Sequence, residues 1–133
     1  MEQIYDVAVI GGGPAGLSGA LMLARSRRTV VVVDAGEPRN APAAAVHGFF
    51  TRDGTPPGDL LATGRAEAES YGVQLLDASA ADVETVGGIF TVALRDGGAV
   101  SARRLLVTTG LVDELPAVHQ VCISFAISFR RLT

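Results

Sequence analysis

The chain has 133 residues, of which 48% are hydrophobic and 19% charged, a composition typical of one globular domain rather than of a disordered segment. A net charge of −3 and a pI near 5.2 give no basic surface for nucleic acid. The single cysteine, Cys122, excludes an internal disulfide, a CxxC pair and a cysteine metal cluster, and its simplest interpretation is a small buried hydrophobe or a passive thiol. No targeting signal is visible, and the apolar runs are shorter than the ~20 residues of a membrane span, so we expect a cytoplasmic protein without membrane contact.

The first predicted unit is a strand, a helix and a second strand. Residues 4–10 are rich in valine and isoleucine and end in three glycines, which predicts a buried strand. Apolar side chains recur at helical spacing over residues 14–28, and Pro14 suits a first helical turn. Residues 29–33 then form a strand of four valines that ends at Asp34. This βαβ pattern predicts a parallel sheet.

A loop, a helix and a strand are expected next. Residues 35–57 contain four prolines and are expected to form a loop. A second helix is predicted over residues 57–71, with Arg65 and Glu69 spaced to form an i,i+4 ion pair. Residues 73–77 form a further predicted strand.

The following segment is predicted to be an antiparallel meander. Strands at 82–86, 89–95 and 99–103 are separated by glycine-rich turns. A last buried strand covers residues 105–108. The tail, residues 117–133, contains an almost wholly apolar run at 121–129, lacks clear turn residues and fits this architecture poorly.

The strongest motif is Gly11-Gly12-Gly13-Pro14-Ala15-Gly16, a G-x-G-x-x-G sequence that follows a strand and opens a helix. Gly11 permits a tight turn, Gly13 lets the backbone approach a pyrophosphate, and Gly16 lets the helix pack closely. The free N–H groups at the helix start then face the phosphates. Asp34 can accept hydrogen bonds from ribose hydroxyls and would repel a 2′-phosphate, which favours FAD or NAD over NADP. A plain turn and a solvated carboxylate are the alternative interpretations.

Three stretches together resemble a known family. The sequence YDVAVI followed by GGGPAGLSGALMLAR, the meander, and LLVTTG at residues 105–110 resemble the thioredoxin-reductase-like branch of the pyridine nucleotide-disulfide oxidoreductases. The resemblance covers residues 4–116. It implies an α/β fold with a Rossmann-like parallel sheet, in which a three-stranded antiparallel meander serves as a crossover, and it implies that the first βαβ unit binds FAD.

The resemblance also implies contacts to the pyrophosphate and the ribose. The residues expected to hold the pyrophosphate belong to the glycine motif: Gly11, Gly13, Pro14, Ala15 and Gly16. Asp34, at a position where the family more often has glutamate, would bind the adenosine ribose. The loop that borders the ribose and the flavin is expected at residues 37–40, from Glu37 to Asn40. Ala35, Arg39 and Asn40 are expected to bind the cofactor.

Four further contacts are carried over in the same way. Val83 matches a position whose backbone contacts adenine, and Thr109 and Gly110 would lie near the pyrophosphate and the flavin. His47 falls where a loop approaches the isoalloxazine, with an ordinary loop histidine as the alternative. No catalytic residue and no metal ligand is expected in this chain.

After Pro116 the resemblance stops. The expected organisation is an incomplete FAD-binding domain at residues 1–116 and an atypical tail at 117–133, as a truncation with an unrelated frameshifted end would produce. Beyond residue 116 the sequence contains no second G-x-G-x-x-G, no CxxC pair and no G-D motif. We therefore expect weak FAD binding, and no NADPH-driven disulfide reduction by this chain alone.

Three functional interpretations remain open from the sequence. The first, implied by the resemblance, is an oxidoreductase in which a hydride passes from NAD(P)H to FAD and then to a disulfide or another acceptor; such proteins are often homodimers. The second is a module that binds NAD or ADP without chemistry. The third is a non-functional product whose apolar tail causes aggregation or pairs with another chain.

Overall fold

The computed structural model describes residues 2–37 and 43–111. Its helices are α1 (Pro14–Arg25) and α2 (Pro57–Ser70). The strands, in chain order, are β1 (Ile4–Tyr5), β2 (Val7–Ile10), β3 (Val30–Asp34), β4 (Gln74–Asp77), β5 (Ala80–Val86), β6 (Ile89–Leu94), β7 (Ala99–Ala102) and β8 (Leu105–Val107). Among these residues, neither helix has the length and apolar character that a bilayer crossing requires.

The central sheet is parallel and has the strand order β4-β3-β2-β8. Its middle strands are buried on both faces, which explains why β2 and β3 are continuous apolar runs rather than alternating ones. One face, which includes Val9 and Val32, packs against Leu17 and Ala20 of α1 and against α2. The predicted βαβ unit and parallel sheet are confirmed.

The second sheet is the predicted meander, with the strand order β1-β7-β6-β5. Strands β5, β6 and β7 pair antiparallel, as the glycine-rich turns predict. Val92 and Val100 of this sheet pack against the other face of the central sheet, at Ala8 and Val31. The predicted fold class, a Rossmann-like α/β fold with a meander as crossover, is therefore confirmed.

The prediction of one strand over residues 4–10 is wrong, because the chain changes sheet at Asp6. β1 pairs with β7 of the meander, whereas β2 pairs with β3 and β8. At the break, the Asp6 N–H donates to the Thr29 carbonyl (3.0 Å), and the Asp6 carboxylate accepts the Thr29 N–H (2.9 Å). The backbone hydrogen bond from Thr29 is the main reason that the pKa of Asp6 lies below its ordinary value.

Two predictions about the helices need correction. α1 ends at Arg25 rather than at residue 28, since Arg27 takes a positive φ of 60° that stops the helix. The predicted pair of Arg65 with Glu69 is also wrong. Arg65 turns instead to two carboxylates at the ends of neighbouring strands, those of Asp34 and Asp77. The partners of Arg65 are therefore set by the packing of α2 beside the sheet and not by the i,i+4 spacing along the helix.

Candidate dinucleotide-binding site

The turn after β2 requires glycine at position 11. Gly11 has a φ of +104°, and its N–H donates to the carbonyl of Val33 at 2.8 Å. A methyl group there would lie 2.3 Å from the carbonyl oxygen of Thr108. The tight turn thus brings the ends of β2, β3 and β8 together.

Gly16 lets α1 sit directly on this turn. A methyl group at Gly16 would lie 1.9 Å from the Gly11 carbonyl oxygen and 2.7 Å from Thr108 Oγ1. The Thr108 hydroxyl lies within hydrogen-bonding distance of the carbonyl oxygens of Ile10 (3.1 Å) and Gly11 (2.9 Å). Gly16 is buried in this packing and is not among the cavity-lining residues.

The start of α1 is open. Gly13 is the N-cap residue and Pro14 follows at the first helical position, and no side chain caps this end. The first turn of α1 contains no acidic residue. A methyl group at Gly13 would meet no described atom within 4 Å. The first N–H groups of a helix lack intrahelical partners, and with the helix dipole they favour an anion.

Asp34 lies beside this helix start, against Gly12. A methyl group at Gly12 would lie 2.6 Å from Asp34 Cγ, so any larger residue at this position would displace the carboxylate. One carboxylate oxygen, Oδ1, accepts the N–H of Gly36 at 3.2 Å, and the other, Oδ2, accepts Nη1 of Arg65 at 3.2 Å. The Asp34 side chain is 21% exposed, so a ligand can still reach it.

These features share one cleft of about 1110 Å³ at the carboxyl ends of the central strands. In parallel α/β sheets this edge is where ligands bind. Eight of the predicted site residues line the cleft: Gly11, Gly13, Pro14, Ala15, Asp34, Ala35, Thr109 and Gly110. Glu37, in the loop predicted to border the ribose, lines the cleft as well. The lining residues to which sequence analysis assigned no role include Gly12, Ala78, Ser79, Ala80, Arg95 and Thr108.

The remaining predicted residues lie elsewhere. Val83 is 41% exposed on β5 and does not line the cleft. His47 lies in an exposed loop, 3.7 Å from Asp53, and does not line it either. Arg39 and Asn40 fall outside the described residues. The roles assigned to these residues stay predictions from the resemblance.

A family profile described as "Pyridine nucleotide-disulphide oxidoreductase" matches residues 5–129. The chain belongs to this family. The match includes the glycine turn and Asp34, which line the cleft, and also the meander and β8. It also runs past residue 116, and the proposed division of the chain at that residue stays a prediction.

Proteins named thioredoxin reductase are similar to this chain over most of its length. A probable thioredoxin reductase of Arthroderma benhamiae is 34% identical over 122 residues, which cover 86% of this chain and 30% of the relative. A thioredoxin reductase of Streptomyces clavuligerus is 35% identical over 115 residues, or 83% of this chain and 35% of the relative. The chain thus spans about a third of the length of these relatives.

Solved structures agree with this assignment. The crystal structure of HlmI has a TM-score of 0.84 and 50% identity, covering 89% of this chain and 39% of HlmI. A putative thioredoxin reductase from Bacillus anthracis has a TM-score of 0.82 and 34% identity, covering 86% of this chain and 39% of that protein. The fold of this chain therefore matches part of the fold of thioredoxin-reductase-like proteins in this family.

Proposed function

We propose that this chain binds FAD and forms the FAD-binding part of a thioredoxin-reductase-like oxidoreductase. The observation that carries the proposal is the position of the Asp34 carboxylate beside the open start of α1, with only Gly12 between them. A group that donates hydrogen bonds to a carboxylate and also presents a diphosphate matches both features. The ADP part of FAD has both properties.

The diphosphate fits the start of α1. Gly13 leaves space where any other residue would place a side chain, and the helix start carries neither a cap nor an acidic residue. Backbone N–H groups and the helix dipole there favour two adjacent negative charges. We assign Gly11, Gly13, Pro14 and Ala15 to this role. Gly16 and Thr108 pack against the Gly11 turn and hold it in place.

The adenosine ribose fits Asp34. Each carboxylate oxygen keeps accepting capacity beyond its bond to Gly36 or Arg65, so ribose hydroxyls can donate to it. A 2′-phosphate would meet the same negative charge, so we propose FAD rather than an NADP-type ligand here. Ala35 and Glu37 lie in the same wall of the cleft.

For the adenine we propose the backbone of residues 78–80 in place of Val83. These residues line the cleft directly after β4, and the Ala78 N–H donates to the Asp34 carbonyl at 2.9 Å. They therefore continue the wall that begins at Asp34. Val83 lies further along β5, away from this wall.

FAD, when bound, supplies the group that accepts a hydride from NAD(P)H and passes electrons on. Because the chain spans about a third of its relatives' length, hydride transfer from NAD(P)H and reduction of a disulfide are proposals for the whole assembly. The part assigned to the described residues is cofactor binding. Homodimer formation and a cytoplasmic location stay predictions.

The test is gel filtration of the full chain on a column equilibrated with FAD, so that weak binding is also detected, with the absorbance spectrum recorded across the protein peak. A flavin spectrum that co-elutes with the protein, and that excess ADP removes, is the expected result. Retention of NAD or ADP without flavin would favour the nucleotide-binding module instead. Failure to retain any of these ligands, with the chain folded by circular dichroism, would contradict the proposal.

A further inference from the structure

We propose that Arg65 is a positioning residue that holds the Asp34 carboxylate in place for the adenosine ribose. The inference rests on the proposed function, since it concerns the same site. Arg65 lies on α2, outside the glycine motif, and it is not among the residues lining the cleft. It acts on the ligand only through Asp34.

The guanidinium of Arg65 joins two carboxylates. Nη1 donates to Asp34 Oδ2 at 3.2 Å, and Nη2 donates to Asp77 Oδ1 at 2.8 Å. Asp34 and Asp77 end the neighbouring strands β3 and β4 and are register partners. Two carboxylates would therefore face each other as like charges without the cation between them.

The two contacts differ in what they contribute. The Asp77 side chain is 80% exposed, so its ion pair with Arg65 contributes little stability. The contact with Asp77 does hold Nη2 of Arg65 in place, and because the guanidinium is planar this also sets the direction of Nη1. Asp34 is 21% exposed and lies in the cleft, so the orientation passed on through Nη1 reaches the ligand site.

Loss of Arg65 would free Asp34. The carboxylate would keep the bond from the Gly36 N–H at 3.2 Å, and its repulsion from Asp77 would no longer be offset. Rotation toward solvent would then separate the carboxylate from the ribose hydroxyls. When the carboxylate is already oriented in the free protein, ligand binding does not have to order it. We propose that Arg65 lowers this entropy cost of binding.

The test compares ADP with 2′,3′-dideoxy-ADP, which lacks the ribose hydroxyls, by calorimetric titration of the full chain. We expect Arg65→Ala to weaken ADP binding by about tenfold and dideoxy-ADP binding by much less. Arg65→Lys should restore part of the lost affinity because it keeps the positive charge. The rescue should be incomplete because one ammonium cannot bind both carboxylates in the geometry of the planar guanidinium. Arg28→Ala removes an exposed arginine that precedes β3, at the opposite end of that strand from Asp34, and should change neither affinity.

The outcomes separate the two proposals. If the wild-type chain fails to bind ADP, the proposed function falls and the role of Arg65 falls with it. If the wild type binds ADP but Arg65→Ala weakens both ligands equally, Arg65 supports only the fold, and its positioning role is overturned. The same conclusion follows if Arg65→Ala leaves the affinity for ADP unchanged.

Discussion

The carboxylate of Asp34 lies against Gly12, where a methyl group would fall 2.6 Å from its Cγ. A side chain at the middle glycine of the motif would therefore displace the carboxylate of a residue on the neighbouring strand, 22 positions later in the sequence. This contact places the negative charge of Asp34 next to the positive end of α1. The two contacts proposed for the ligand, ribose at Asp34 and diphosphate at α1, are therefore adjacent, and the predictions below test each of them.

Replacement of Asp34 by asparagine should weaken the discrimination against a 2′-phosphate. In the wild type we expect 5′-AMP to bind at least about tenfold more tightly than adenosine 2′,5′-bisphosphate, because the carboxylate repels the added phosphate. Asp34→Asn keeps the shape of the side chain and removes its charge, so the ratio should shrink. Competition against a fluorescent ADP analogue measures both affinities. An unchanged ratio would place the 2′ position away from Asp34.

Gly13→Ala should reduce ligand binding without harming the fold. Gly13 has ordinary angles (φ −75°, ψ −172°), and a methyl group added there would have no described atom within 4 Å, so the stability should change by less than about 1 kcal/mol. The methyl group would stand where the diphosphate approaches, and ADP affinity should fall at least about tenfold. Calorimetry measures the affinity, and adenosine is the control ligand. Equal weakening for adenosine and ADP would argue against a diphosphate at this position.

Gly16→Ala should instead destabilise the protein. The added methyl group would lie 1.9 Å from the Gly11 carbonyl oxygen. This oxygen belongs to the backbone, so the clash can be relieved only by moving the turn or the helix. We expect a loss of about 3 kcal/mol or more in the free energy of unfolding, measured with urea. Gly58→Ala, also in a helix but with no described atom within 4 Å, is the control and should change stability by about 1 kcal/mol or less. Matching urea midpoints for the two variants would show that the packing at Gly16 is loose.

Asp6→Asn should reduce the loss of stability at acid pH. The pKa of Asp6 is lowered from 3.8, chiefly by the backbone hydrogen bond from Thr29. A lowered folded pKa means that the ionised carboxylate stabilises the fold above its unfolded pKa, and that this contribution disappears as the pH falls through the folded value. Urea unfolding at neutral pH and near about pH 3 measures the difference. Glu84→Gln, which removes an exposed carboxylate on β5, is the matched control. A wild type and an Asp6→Asn variant that lose equal stability would contradict the role of Asp6.

Local patterns predicted much of the fold. The valine runs, the glycine turns and the helical spacing of α1 each report on a few neighbouring residues, and the corresponding elements are confirmed. The break at Asp6 could not be found this way, because β1 pairs with Ser101 and Ala102, far along the chain. Uniformly apolar residues on either side of Asp6 gave no sign that they enter different sheets.

Only those features of the candidate site that depend on neighbouring residues could be predicted from the sequence. The glycine motif and Asp34 follow from local sequence, whereas Arg65 meets Asp34 only once α2 packs beside the sheet. The local i,i+4 rule pointed Arg65 to Glu69 and gave the wrong partner. The wall formed by residues 78–80 depends on where β4 ends against β3, which local sequence does not show. The contact of Val83 with adenine stays a prediction from the resemblance.

The most direct test of FAD binding at the glycine turn is a flavin fluorescence titration of the full chain with FAD and, in parallel, with FMN. FMN carries the same isoalloxazine and lacks the adenosine part that Asp34 and α1 are proposed to hold. We predict saturable binding of FAD, with FMN at least about tenfold weaker. Equal affinities for the two flavins, or no saturable binding of FAD by the folded chain, would contradict the account.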